Sequence, residues 1–128
     1  RVSSKNSNLA KSLLKNSIKD LKFLEILEIN EDSSRKIMVN YYETLRSILE
    51  AMTSLQGYKI YEHEAFTYYL KKINENALSI KFDRLRKIRN SINYYGEDIS
   101  LEETKEIKED IKKIINYLAR KYLAEIKP

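Results

Sequence analysis

The stretch SRKIMVNYYETLRSILEAMTSL, residues 34–55, decides the fold. Its apolar side chains Met38, Tyr41, Leu45, Ile48, Met52 and Leu55 recur at alternating steps of three and four over more than two heptads. An α-helix turns by about 100° per residue, so this spacing lines one face, and that face needs a partner to bury it. A two-stranded coiled coil carries a similar seam. Over this length the pattern favours the buried face of an antiparallel bundle, with an intermolecular contact as the alternative. Gln56-Gly57 ends the run, because glycine takes the left-handed conformation that closes a helix.

Four more segments read the same way, working outward. Residues 8–28 place Leu14, Ile18, Leu21 and Leu24 on one face, and the polar break Asn30, Glu31, Asp32, Ser33 supplies an N-cap for the helix over 34–55. After a connector over 58–62, residues 65–74 carry Phe66, Tyr69, Leu70 and Ile73 on one side. A break over 74–79 leads to a helix over 80–95, whose stripe Leu85, Ile88, Ile92 and Tyr95 faces a core and which Gly96 closes. Ser100 with Glu103 forms the Ser-x-x-Glu capping box of a last helix carrying Ile107, Ile111, Ile114, Leu118 and Tyr122. The chain therefore reads as all-α, an antiparallel helical bundle of about five helices in a single domain over 1–128.

Composition agrees. Two glycines and one proline in 128 residues leave few places for hairpin turns. Without cysteine there is no disulfide framework, thiolate nucleophile or zinc cluster. No apolar run approaches the length of a signal peptide or a membrane span, which points to a soluble, cytoplasmic protein without a membrane partner. A net charge of +5 and a pI near 9.2 are compatible with an acidic partner such as nucleic acid. Richness in Ile, Lys, Glu and Tyr leans towards a thermophilic source.

The chemistry concentrates in residues 84–96, RLRKIRNSINYYG, where four cations and two amides share one helix. On the helical wheel Arg86, Arg89, Asn90 and Asn93 gather within roughly a third of the circumference, largely opposite the apolar stripe. Converging guanidinium forks and carboxamides suit a phosphate or another polar ligand, with a merely solvated basic face as the alternative. Glu43 and Glu50, one heptad apart, flank the seam of 34–55 and would point towards this helix. A pair of Glu50 with Arg89 or Arg86 would hold the arginine fork in place. The doublets Tyr41-Tyr42, Tyr68-Tyr69 and Tyr94-Tyr95 would each put one ring in the core and its neighbour near the surface. His63, within Glu62-His63-Glu64, reads as a solvated or capping residue at a helix start. No metal site, Gly-x-Ser-x-Gly elbow or glycine-rich phosphate loop is written in the chain, and no cofactor is implied.

Arg89 followed by Asn90, then Asn93 beside Tyr94, closed by Gly96 near the end of a late helix, resembles the signature of the HEPN family in its archaeal-type form, with the motif histidine replaced by asparagine. The likeness extends to Tyr41-Tyr42-Glu43 through Leu49-Glu50-Ala51, to Gly57-Tyr58-Lys59 with His63-Glu64, and to the final amphipathic helix. The resemblance implies an all-helical bundle that often forms a homodimer with the motif helices facing each other. Many such family members are metal-independent endoribonucleases of toxin–antitoxin or defence systems. Others are inactive partners of nucleotidyltransferase-type proteins, or nucleotide-binding modules. On the nuclease pattern Arg89 would grip the scissile phosphate, Asn90 would position it, and a histidine a few residues on would assist proton transfer.

The chain departs from that pattern at Asn93, because an amide does not titrate. A tyrosine hydroxyl such as that of Tyr94 is a poor base at neutral pH, since tyrosine ordinarily loses its proton near about pH 10. General acid or base help is worth roughly a hundredfold or more, so the departure weighs against catalysis and leaves binding intact. Three readings are left. The favoured one is a binding or partner module whose Arg86, Arg89, Asn90 and Asn93 hold a nucleotide, RNA or an acidic partner. The second is a weak metal-independent endoribonuclease using Arg89 and Tyr94. The third is a structural helical dimer in which the arginines pair with Glu43 and Glu50.

Overall fold

A computed structural model describes residues 5–127, so the two ends of the 1–128 span lie outside the described residues. Five helices succeed one another: α1 (Ser7–Glu25), α2 (Ser34–Gln56), α3 (Glu64–Lys72), α4 (Asn76–Tyr95) and α5 (Leu101–Tyr122), with a 3₁₀ turn over Ala124–Ile126. The fold is the expected all-α bundle. Helix α2 is its centre, with α1, α4 and α5 packed on it and α3 packed on α4.

Contacts along the helices give their directions. Asn6 N donates to Ser54 O at 2.9 Å, joining the start of α1 to the end of α2, so these two run antiparallel. Arg35 meets Asp98 at 3.5 Å and Glu43 meets Arg89 at 3.2 Å, which sets α4 antiparallel to α2. Arg84 with Glu103 and Glu75 with Lys121 set α5 antiparallel to α4. Helices α2 and α5 therefore share a direction.

Five of the six residues that predict α2 are buried by it, while Leu55, in its last turn, is only partly buried. Met38, Tyr41, Leu45, Ile48 and Met52 are at most 1% exposed, and each such side chain contributes about 1.5–3 kcal/mol of apolar burial. Gly57 closes the helix at φ 83°. Leu14 and Leu24 of α1, Phe66, Tyr69 and Leu70 of α3, and Ile107, Ile111, Ile114 and Leu118 of α5 join the same core. Ser100 Oγ accepts from Glu103 N at 3.0 Å as the capping box predicts, while the Glu103 carboxylate turns to Arg84 at 3.5 Å.

The differences have local causes. Ser33 occupies the N-cap of α2 without capping it, because its hydroxyl is engaged by Asn30 N and Glu28 O. Asn30 Oδ1 instead takes the amides of Asp32 and Ser33, and this side-chain turn organises the entry to α2. Helix α4 begins at Asn76 rather than residue 80, since Asn74 adopts the left-handed conformation at φ 63° and makes the turn by itself. Tyr95 is 77% exposed and does not continue the core stripe. Beyond the left-handed turn at Gly96, Ile99 supplies the buried side chain at that end. Only Tyr68-Tyr69 splits between surface and core as expected. Tyr41 and Tyr42 are both buried because α2 is covered on several sides, while Tyr94 and Tyr95 are both exposed at the end of α4.

Tyr41 Oη is buried without a hydrogen-bond partner. Burial, with Glu25 and Glu109 behind it, pushes this phenol up to about 12. Tyr41→Phe keeps the ring and removes the unsatisfied hydroxyl, so urea unfolding is expected to show unchanged stability or a gain of up to about 1 kcal/mol. A clear loss would mean that the hydroxyl has a partner. No helix among the described residues is long and apolar enough to cross a membrane.

Candidate functional site

The antiparallel pairing of α2 and α4 sets Arg89 against Glu43, with Nη2 3.2 Å from Glu43 Oε1. The contact is an ion pair without an aligned hydrogen bond: that carboxylate oxygen has no donor in line, and Arg89 Nε is buried with no partner. Arg89 Nη1 donates to Asn90 Oδ1 at 3.0 Å and to Tyr94 Oη at 3.3 Å. The guanidinium lies 5.6 Å from the ring centres of both Tyr42 and Tyr94, within cation–π range. Arg89 is thus well positioned and poorly satisfied.

The neighbouring arginines are spoken for by their own helices. Arg46 stands three residues after Glu43 and four before Glu50, spacings that face one another on a helix. It reaches Glu43 Oε2 at 3.3 Å and Glu50 Oε1 at 2.8 Å. The expected pair of Glu50 with Arg89 or Arg86 does not form, because Arg46 on the same helix takes Glu50 first. Arg86 folds back onto Asp83 Oδ1 through Nε at 3.2 Å and Nη2 at 2.9 Å, and Lys87 shares that carboxylate at 3.2 Å. The hydrogen bond from Arg86, more than that from Lys87, holds the Asp83 carboxyl below its usual range. Asn93 is exposed and lines a shallow depression with Arg35, Lys36 and Asn40 of α2, one turn past the arginines. Of the four predicted ligand residues, the structure joins Arg89 and Asn90, ties Arg86 to Asp83, and sets Asn93 apart.

His63 neither caps α3 nor stands in solvent. Its side chain is half-buried, with Nδ1 2.9 Å from Tyr42 Oη. The Tyr42 ring stacks on Phe82 at 5.5 Å and neighbours both the His63 ring, at 5.7 Å, and the Arg89 guanidinium, at 5.6 Å. Burial first, then the charges of Arg46, Arg89 and Arg86, lower the His63 pKa below its ordinary 6.5 against the pull of Glu43. Burial likewise pushes the Tyr42 phenol well above its usual 10, so it stays protonated. Nothing adjacent in the chain announces this pair, whose members are 21 residues apart.

No protein-family model matches the chain, and comparisons with curated proteins and with solved structures find no match. The site is read from its own chemistry. Four cations, Arg46, Arg86, Lys87 and Arg89, face three carboxylates, Glu43, Glu50 and Asp83, which leaves the cluster positive beside a neutral imidazole. Among the described residues no three His, Asp or Glu side chains gather as metal ligands would.

The histidine gives a pH prediction. Its folded-state pKa is lowered, so as pH falls the unfolded chain takes up the proton first. Stability contributed by neutral His63 is complete above 6.5 and is lost between that value and the lower folded one. An NMR titration of the ring protons is expected to give a midpoint below 6.5, and Tyr42→Phe should leave it there because burial and the arginines remain. A midpoint at or above the ordinary value would contradict the burial of His63 beside the arginines.

Proposed function

We propose that this chain is a HEPN-like module that binds a phosphate-bearing ligand, RNA or a nucleotide, along the α2–α4 edge. The observation that carries this reading is the state of Arg89. Its fork is oriented by Glu43, Asn90, Tyr94 and the Tyr42 ring, yet it is left with an off-axis ion pair and an unpartnered Nε. An arginine so placed gains charge-assisted hydrogen bonds on meeting phosphate oxygens, while Glu43 keeps Arg46 as a partner. Tyr94 and Tyr95, 67% and 77% exposed, offer rings for stacked bases or for a second copy. A homodimer with α4 helices facing, a nucleotidyltransferase-type partner, and a cytoplasmic place in a toxin–antitoxin or defence system belong to the same reading.

One observation favours the endoribonuclease as the second reading. His63, neutral at pH 7 and held by Tyr42, brings from α3 the titratable group that Asn93 does not provide. In that reaction Arg89 holds the phosphate and His63, in the tautomer whose Nδ1–H donates to Tyr42 Oη, takes the proton of the RNA 2′-OH on Nε2. The 2′ oxygen attacks phosphorus, and the 5′ oxygen leaves with a proton from solvent. The structural reading accounts for the ion pairs of Arg46, Arg86 and Arg89, the last with Glu43, and leaves over the unpartnered Nε of Arg89.

The deciding experiment incubates the protein with labelled single-stranded RNA in EDTA and scores retention and cleavage for wild type, Arg89→Ala and His63→Ala. Retention lost in Arg89→Ala and kept in His63→Ala supports the binding module. Metal-free cleavage lost in both variants establishes the nuclease. Neither retention nor cleavage in wild type rejects both.

A further inference from the structure

Helices α1 and α5 both pack on α2 but scarcely on each other. At one end Glu25 of α1 ties them together, meeting Lys112 at 3.0 Å and Lys108 at 3.5 Å of α5. Towards the other end they part and leave a cleft of about 550 Å³ over α2. Leu14, Ile48, Ile115 and Leu123, all buried, form its floor. Ile18 and Leu21, core positions by their spacing, are only half-buried because α5 does not close over them.

Two polar features are added to this apolar slot. Ser17, 1% exposed, lines it with a hydroxyl that has no hydrogen-bond partner. Arg120 and Lys127 stand exposed at the mouth, and neither is in an ion pair among the described residues. The volume lies within the range of about 300–1,000 Å³ usual for small-molecule sites. The lining runs Leu14 to Leu21 and Ile115 to Leu123 extend about 10–12 Å at the helical rise of about 1.5 Å per residue. A slot of that length, apolar along its floor and with these two cations at its mouth, matches a single-chain amphiphile with an anionic head.

We infer that this cleft binds a single-chain fatty carboxylate, its alkyl chain along the floor between α1 and α5 and its carboxylate at Arg120 and Lys127. The site is on the other side of α2 from the arginine cluster and is independent of the RNA reading. The test is calorimetric titration with decanoate, hexanoate, decanol and decyltrimethylammonium. Decanoate is expected to bind one-to-one, more tightly than hexanoate by about fourfold for each further methylene buried. Decanol should bind more weakly, and the cationic amphiphile weakest. In the surface double variant Arg120→Ala/Lys127→Ala decanoate should lose about fivefold in affinity while decanol is unchanged. Ala119→Phe, which fills the half-buried wall, should abolish binding of both with helicity retained. The inference is overturned if decanoate does not saturate, if chain length has no effect, or if decanol matches decanoate.

Discussion

Arg89→Ala is expected to retain single-stranded RNA at least tenfold less well than wild type, in EDTA and at moderate salt, while unfolding at nearly the same urea concentration. The affinity term rests on the guanidinium fork, since removing one charge-assisted contact is worth about 1.5–3 kcal/mol, or on the order of tenfold to a hundredfold in affinity. The stability term is small for a structural reason. Glu43 is shared between Arg89 at 3.2 Å and Arg46 at 3.3 Å, so deleting Arg89 does not strand the carboxylate. Glu43 is also a third exposed, so although Arg89 itself is only 16% exposed, water can reach the carboxylate once the arginine is removed, which keeps the loss to about 1 kcal/mol. A phosphate contact leaves one further mark: the slope of log affinity against log salt should fall by about 0.7 in the variant. If Arg89→Ala instead loses several kcal/mol of stability and wild type retains no RNA, Arg89 is a packing residue and the structural dimer becomes the better account.

The difference between what the sequence foretells and what it does not is a difference of range. The stripe of Met38, Tyr41, Leu45, Ile48 and Met52 is a local signal, because helical periodicity places these residues on one face whatever surrounds them, and every one of them is buried. The pairs Glu43–Arg46–Glu50 and Asp83–Arg86 are equally local, written at steps of three and four, and they displace the longer-range pair of Glu50 with Arg89 or Arg86. Tyr95 shows where periodicity stops helping. Its place on the wheel is right, but whether a core exists at that height depends on Ile99, beyond the turn at Gly96. His63 shows the same limit within the site. Its meaning lies in Tyr42 on another helix, and no spacing in the chain encodes that meeting. The place of Arg89 on the polar face of its helix is legible from the chain alone, whereas its unpartnered Nε appears only once α2 and α4 are set side by side.

Glu75→Ala is expected to destabilise the fold by about 3 kcal/mol, more than any other substitution proposed for this chain, lowering the melting temperature by roughly 10 °C. Glu75 is the residue before α4, 8% exposed, and its carboxylate takes hydroxyls from Tyr117 at 2.9 Å and from Tyr122, and the Lys121 ammonium at 3.1 Å. These donors come from the end of α5, 42 to 47 residues away, so one side chain latches the α3–α4 turn to the last helix. The carboxylate also sits at the N-terminus of α4, where the helix dipole favours negative charge. Burial pushes its carboxyl up, but the hydrogen bonds from Tyr122, Tyr117 and Lys121 outweigh that and hold it below the ordinary 4.5. With the folded-state value lowered, the stabilisation is complete above 4.5 and is lost as pH falls through the folded value. Glu75→Gln separates charge from shape: it keeps an acceptor for one tyrosine, so it should fall between wild type and Glu75→Ala at pH 7 and lose this part of the acid dependence. Denaturant titrations of the three proteins at pH 7 and pH 3.5 read both effects. If Glu75→Ala unfolds at the wild-type midpoint at pH 7, the latch contributes nothing and α5 is held by its buried Ile107, Ile111 and Leu118 alone.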